Sequence, residues 1–152
     1  MWLDTRCVYT VRMESLSEYG RTAGAVHSLG YHLVWCPKYR RPVLVGCVAE
    51  RLRELLGAKC AEHGWTVEAL EVMPDHVHLF ARCGPDASPA RLAHQLKGAT
   101  SRALRAEFGH LRSRLPTLWS RSYFVASVGR VSEATIRRYI AEQTTRPTKG
   151  MP

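Results

Sequence analysis

Polar and apolar residues alternate with a period of two in the first strongly patterned segment, residues 27–36. Tyr31, Leu33 and Trp35 fall on one face of this alternation, and the residues between them fall on the other. A period of two is typical of a β-strand, and Pro37 ends it because proline lacks the N–H that a sheet ladder requires. We therefore predict a first core strand in this segment.

Three more segments are rich in β-branched and aromatic residues. Residues 65–73 and 76–83 are separated only by Pro74 and Asp75, so they predict two antiparallel strands joined as a hairpin. Residues 122–129 predict a fourth strand. Residues 1–26 show little periodicity, and we interpret them as an irregular N-terminal arm of unknown role.

Helical spacing of apolar residues separates these strands. The first predicted helix covers residues 48–64 and closes at a glycine. The second covers residues 88–108 and begins with a serine N-cap followed by proline. A basic loop is predicted over residues 109–116, and a last helix over residues 132–146.

The order strand, helix, strand, strand, helix, strand, helix predicts the fold class. Two split β-α-β units of this kind form an α/β ferredoxin-like sandwich, an RNA-recognition-like plan with a four-stranded antiparallel sheet. Its helices cover one face, an additional C-terminal helix follows, and the other face is expected to be free for binding. We assign residues 27–146 to this domain and residues 147–152 to a tail.

Composition adds a polyanionic partner to this picture. The chain of 152 residues has 22 Lys and Arg against 13 Asp and Glu, a formal net charge of +9. Residues 91–121 are rich in Lys and Arg and contain a single acidic residue, Glu107. This imbalance of charge favours a nucleic-acid partner over a merely solvated surface. The five cysteines form no C-x-x-C pair, which argues against a disulfide framework. Without a long apolar run, a cytoplasmic protein with no membrane partner is expected.

His76 and His78 are the residues most suggestive of chemistry. Side chains two apart in a strand share a face at about 6.5–7 Å, so these two imidazoles project together. Neutral imidazoles at this spacing can chelate one metal ion. The alternative is that both are hydrogen-bonded sheet residues.

The last predicted helix carries two further polar candidates. Tyr139 and Gln143 are four residues apart and therefore project from one face of the helix. Such a pair offers a nucleophile and a third metal ligand to the histidines. Taken singly, a tyrosine on a helix is more often a packed aromatic, and a glutamine more often a surface residue.

These features together resemble the single-tyrosine HUH transposases of small insertion sequences, the TnpA type that moves single-stranded DNA. The HUH motif (His, hydrophobic, His) is His76-Val77-His78 within "MPDHVHLF". Further matching blocks are "YHLVWCPKYRR", "LKGATSR", "LWSRSYFVASVG" and "YIAEQ". The resemblance covers about residues 27–145 in consistent order.

The resemblance implies an enzyme with a defined site. His76, His78 and Gln143 would hold a divalent metal, Mg²⁺ or Mn²⁺, that polarises the scissile phosphate. Tyr139 would attack the phosphorus and form a 5′-phosphotyrosine link. Family members act as homodimers on single-stranded DNA with hairpins, and the tyrosine helix commonly docks on the partner subunit.

The same resemblance points to residues that contact DNA. Basic side chains would bind phosphates, and aromatic rings would stack on bases. Each has a structural alternative, as surface charge or as core. The expected DNA-binding residues are Lys38, Tyr39, Arg40, Arg41, Lys97, Arg102, Trp119 and Tyr123.

Three other interpretations remain, and a fourth is disfavoured. A non-catalytic domain that binds single-stranded nucleic acid would share the charge and the sheet, and a domesticated HUH relative that processes palindromes would share the motifs. Histidine-triad hydrolases need a third alternating histidine, where this chain has Phe80. A structural zinc site would need two more ligands beside His76 and His78.

Overall fold

The structure is a computed structural model that describes residues 20–128 and residue 141. The predicted last helix, apart from residue 141, and most of the predicted arm lie outside the described residues. The elements are β1 (Gly20–Thr22), β2 (Ala25–His27), β3 (Leu29–Trp35), α1 (Gly46–Glu62), β4 (Thr66–Met73), β5 (His76–Cys83), α2 (Pro89–Glu107), α3 (Gly109–Arg114) and β6 (Phe124–Val128).

The last four strands form one sheet in the order β4-β5-β3-β6. All three neighbouring pairs in this sheet are antiparallel. Helix α1 connects β3 to β4, and helices α2 and α3 connect β5 to β6. This is the connectivity of the ferredoxin-like plan, and the predicted fold class is confirmed.

The alternation in the two central strands decides which side chains reach the helices. Val77 and Leu79 of β5 are fully buried in the core, together with Leu33 and Trp35 of β3. These residues share one face of the sheet because Leu33 pairs with Leu79 and Trp35 with Val77. Leu52 of α1 and other apolar side chains of α1 and α2 complete the core.

Helix α2 begins as the sequence predicts. The Ser88 side chain accepts a hydrogen bond from the backbone N–H of Arg91 at 3.1 Å, and Pro89 is the first helical residue. The hydroxyl satisfies one of the N–H groups that have no partner within the helix, and proline has none to lose. This cap fixes where the helix that carries Lys97 starts.

Two segments differ from the sequence-based prediction. Strands β1 and β2 pair as a short antiparallel hairpin, with Gly20 opposite His27, so the end of the predicted irregular arm is regular. The predicted basic loop contains helix α3, because Leu111 is fully buried in the core and anchors this turn of helix. Tertiary burial decides such short elements, since their local signal is weak.

The face of the sheet away from the core is not open at its centre. His32, His76, His78 and Phe80 project from this face, and each is at most 9% exposed. Phe80 packs over Gly30, where an added Cβ would lie 2.8 Å from the ring. The expectation of a freely exposed binding face is therefore wrong at these positions.

Candidate functional site

The histidine pair lies at the start of β5. His76 and His78 project from the same face, with ring centroids 4.8 Å apart and ring planes at 82°. Val77 between them points into the core and is fully buried. The predicted shared face is confirmed, and the core residue between the two histidines fixes the strand's orientation.

The turn before β5 supplies a carboxylate to His76. Nδ1 of His76 lies 2.6 Å from Oδ1 of Asp75, and Nε of Arg40 donates to Oδ2 of the same carboxylate at 2.9 Å. Burial raises the pKa of Asp75, but His76 and Arg40 outweigh it and hold this pKa below its ordinary value. Asp75 is therefore an ionised acceptor between two donors.

His32 of β3 contacts the second histidine. Its Nε2 lies 3.4 Å from Nδ1 of His78, and the two rings stack with centroids 5.6 Å apart and planes at 7°. Burial, together with His76 and His32, lowers the pKa of His78 to about 3. His78 is therefore neutral at physiological pH, the form in which imidazole binds a metal.

The donor set of the two histidines fits a divalent ion. His76 has its Nδ1 engaged by Asp75 and His78 its Nδ1 near His32, which leaves Nε2 as the coordinating atom on each ring. Within residues 20–128, no group of three His, Cys, Asp or Glu side chains is arranged to hold a metal. A complete site therefore needs another ligand type or another segment.

Glu71 is an additional carboxylate on this face of the sheet. It pairs with His78 across β4 and β5, so both side chains share the face. Burial raises the pKa of Glu71, and His76 opposes that increase. Tyr139 and Gln143, the predicted nucleophile and third ligand, lie outside the described residues.

Four predicted DNA-binding residues occupy the turn that follows β3. Lys38–Arg40 forms one 3-10 turn in which Tyr39 and Arg40 have φ of 58° and 52°. Tyr39 is 67% exposed, with Nζ of Lys38 5.4 Å from its ring centroid, and Arg41 is exposed. Because Arg40 holds Asp75, this turn lies beside His76.

Lys97 and Arg102 share helix α2 but differ in their surroundings. Nζ of Lys97 donates to the carbonyl oxygens of Ser120, Arg121 and Ser122, at 2.7, 3.4 and 3.3 Å. Burial lowers the pKa of Lys97. Arg102 is exposed. Lys97 therefore holds the segment before β6, while Arg102 presents its charge to solvent.

The two aromatic candidates also differ. Trp119 is buried, its indole N–H donates to the Thr100 hydroxyl at 3.0 Å, and its ring meets Trp35 edge-on. It is a core residue in this conformation and has no face open for a base, so the expected stacking role does not fit its surroundings. Tyr123 is 37% exposed, with Nζ of Lys97 5.6 Å from its ring centroid.

Two residues of this site, Asp75 and His32, have no signal of their own in the sequence. In the sequence, Asp75 reads only as part of a hairpin turn and His32 only as one position of an alternating strand. Both contacts depend on partners distant in sequence, 35 residues for Arg40 with Asp75 and 46 for His32 with His78. A signal for His32 exists only once β3 is aligned with β5.

The ferredoxin-like fold with two histidines on one face of its sheet defines the structural class of this protein, and comparison with known proteins identifies its family. The profile described as "Transposase IS200 like" matches residues 25–143. The chain belongs to the IS200-like transposases, a family of single-tyrosine enzymes of DNA cleavage and strand transfer.

Individual relatives agree with this membership. The chain is 39% identical over 128 residues to the ISDra2 transposase TnpA of Deinococcus radiodurans, covering 83% of this chain and 91% of the relative. It is 31% identical over 115 residues to the transposase for insertion sequence element IS200 of Salmonella typhimurium, covering 74% and 75%.

Solved structures share the fold. A crystal structure of a Deinococcus radiodurans protein described as a transposase superposes with a TM-score of 0.67 at 38% identity, covering 82% of this chain and 97% of the other. A REP-associated tyrosine transposase bound to a REP hairpin superposes with a TM-score of 0.56 at 16% identity, covering 85% and 74%. In the described part of this chain, no helix is long and apolar enough to span a bilayer.

Proposed function

We propose that this protein cleaves and rejoins single-stranded DNA at the ends of an insertion sequence, with Tyr139 as the nucleophile. The observation that carries the proposal is the extent of the family match. Residues 25–143 include the histidine pair of β5, Tyr139 and Gln143. The proposal therefore joins the described histidine pair to Tyr139 and Gln143, which lie outside the described residues.

The proposed reaction is a transesterification at phosphorus. The Tyr139 oxygen loses its proton and forms a bond to the scissile phosphorus, and the bond from phosphorus to the 3′ oxygen breaks. The 3′ oxygen leaves with a proton, and a 5′-phosphotyrosine remains. Attack of another 3′-hydroxyl on this link rejoins the DNA and restores the phenol without an external energy source.

His76, His78 and Gln143 are the proposed ligands of a divalent metal, Mg²⁺ or Mn²⁺. When bound, the ion withdraws charge from the phosphate and favours the phenolate of Tyr139. The protein's own part is to keep His78 neutral and to engage Nδ1 of both imidazoles, so that each ring offers Nε2. The low pKa of His78 and the contacts of both Nδ1 atoms support this arrangement.

The proposed substrate is single-stranded DNA that carries hairpins near the element's ends. Arg41 and Arg102 are exposed and supply charge for backbone contacts, with Lys38 partly exposed beside them, and the exposed rings of Tyr39 and Tyr123 are available to bases. A protein of similar fold is bound to a REP hairpin, which supports a hairpin ligand. We extend the proposal to a homodimer in which the tyrosine helix serves its own or the partner's histidine pair.

The test is formation of a covalent adduct. A hairpin-bearing oligonucleotide with Mg²⁺ or Mn²⁺ should give a slowly migrating protein–DNA species that is lost with chelator and in Tyr139→Phe. Tyr31→Phe, on the core side of β3, is the matched control and should retain the adduct. Equal adduct in wild type and Tyr139→Phe would refute Tyr139 as the nucleophile.

The same two proteins and the same oligonucleotide distinguish two alternative functions. A non-catalytic binding domain would bind the oligonucleotide with the same affinity in both proteins and form no adduct in either. A domesticated relative that processes palindromes would form the adduct but cleave isolated repetitive palindromes. It would not join the two ends of an element.

A further inference from the structure

Asp75 lies between a histidine of the site and an arginine from another strand's end. Its Oδ1 is 2.6 Å from Nδ1 of His76, and its Oδ2 accepts from Nε of Arg40 at 2.9 Å. Each carboxylate oxygen therefore has its own partner. The Asp75 side chain cannot rotate without breaking the Arg40 contact, so its orientation is set by the fold.

An ionised carboxylate accepts hydrogen bonds and donates none. At 2.6 Å from this acceptor, Nδ1 of His76 must carry a proton and donate it to Oδ1. The lone pair of the imidazole is then on Nε2. A metal bound by this ring has to be met at Nε2, and the contact with Asp75 also limits rotation of the ring.

We propose that Asp75 is a positioning residue that fixes His76 in its Nδ1–H tautomer, and that Arg40 fixes the direction of Asp75. The inference concerns the same site as the proposed function, and it rests on that proposal for what the site does. It also changes the role of Arg40, from a phosphate contact alone to a residue that organises the metal-binding face.

The amide isostere makes this inference testable. In Asp75→Asn, Nε of Arg40 requires an oxygen at the position of Oδ2, so the amide NH₂ faces His76. An NH₂ group donates, so Nδ1 of His76 becomes the acceptor and the proton moves to Nε2. The ring stays in place but offers its N–H, and no longer its lone pair, to the metal.

The direct experiment measures the tautomer in the metal-free protein. Long-range ¹H–¹⁵N spectra of protein labelled at histidine distinguish Nδ1–H from Nε2–H. Wild type should show Nδ1–H at His76, and Asp75→Asn should show Nε2–H. In Arg40→Met with Asp75→Asn the amide is released to turn its oxygen to His76, and the Nδ1–H signal should return.

Asp86→Asn is the matched control. Asp86 is an exposed carboxylate 3.8 Å from the Arg91 guanidinium, so it repeats the charge change at a surface pair. It should leave the His76 signals unchanged. Nε2–H at His76 in wild type would overturn the proposal without any variant, so it remains testable even if Asp75→Asn does not fold.

Metal affinity gives a second measurement. Mn²⁺ binding followed by the loss of the free-ion spin-resonance signal should weaken about 10- to 100-fold in Asp75→Asn, the usual effect of losing such a partner. The double variant should recover part of this loss. Unchanged Mn²⁺ affinity in Asp75→Asn would overturn the positioning role.

These outcomes are distinguishable from failure of the proposed function. A wild-type protein that forms no DNA adduct but shows the tautomer switch and the affinity loss would refute the transposase reaction and retain the positioning role. An adduct that depends on Tyr139, with His76 unchanged in Asp75→Asn, would refute the positioning role alone.

Discussion

The ammonium group of Lys97 lies 2.7 Å from the carbonyl oxygen of Ser120 and within 3.4 Å of the next two carbonyls. This segment leads directly into β6. The sequence resemblance predicts a phosphate contact for Lys97, but the donors of its ammonium group are directed at the protein backbone. A half-buried ammonium group with three backbone acceptors stabilises the position of the segment that contains them.

Lys97→Met should therefore lower the free energy of unfolding by about 1–3 kcal/mol, because it leaves these carbonyls without their donor. Arg102→Met, at an exposed position of the same helix, should change stability by less than about 0.5 kcal/mol. Urea denaturation of both variants is the measurement. Unchanged stability with weaker DNA binding in Lys97→Met would return Lys97 to the phosphate-binding set.

Gly30→Ala should destabilise the sheet. An added Cβ at this position meets Cζ of Phe80 at 2.8 Å, and that ring is almost fully buried beside the histidines. Displacing it should cost about 1–3 kcal/mol. Gly57→Ala in α1, where nothing lies within 4 Å, should instead stabilise by up to about 1 kcal/mol. A thermal unfolding experiment that ranks the two variants in the opposite order would contradict this packing.

Thr100→Val tests whether Trp119 is a core residue. The Thr100 hydroxyl accepts from the Trp119 indole and donates to the Leu96 carbonyl, and the side chain is fully buried. Loss of the acceptor should cost about 1–3 kcal/mol. Thr117→Val, whose hydroxyl contacts the Trp119 carbonyl at the surface, should cost less. Denaturant midpoints that coincide for the two variants would exclude a specific role for the buried hydrogen bond.

Tyr123→Ala should weaken binding of single-stranded DNA about ten-fold, because stacking of one base on an aromatic ring contributes about 1–3 kcal/mol. Its partly exposed ring makes this contact accessible. Fluorescence anisotropy with a labelled oligonucleotide measures the affinity. Tyr123→Phe is the control and should bind as wild type does. Equal affinity of the alanine and phenylalanine variants would rule out stacking here.

Stability should fall at alkaline pH through Cys60. Burial in α1 raises the pKa of this thiol from 9.0 to about 11. Between these values the unfolded chain releases the proton and the folded chain retains it, so the free energy of unfolding decreases as pH rises, by about 3 kcal/mol in total. Cys60→Ala should lack this part of the pH dependence, whereas Cys47→Ala, at an exposed cysteine, should keep it. Parallel pH profiles for the two variants would contradict the prediction.

Most of the sheet was predictable because its signals are local. The alternation around Val77 and Leu79 determines which face of β5 enters the core, and the serine N-cap with its proline determines where α2 begins. The short elements were not predictable. The helix at Gly109–Arg114 has too few residues for a periodic pattern, and the burial of Leu111 decides it.

The same distinction between local and tertiary determinants applies to the functional site. The sequence by itself determined the fold class and the pairing of His76 with His78 on one face, since both follow from periods of two and 3.6 residues. It did not determine the supporting atoms. Only the placement of β3 beside β5 brings Arg40 to Asp75 and His32 to His78, because those contacts join residues far apart in the chain. The tertiary structure also directs Lys97 and Trp119 toward the protein and not toward the expected DNA surface. The groups that hold them, the Ser120 carbonyl and the Thr100 hydroxyl, come from segments distant in sequence.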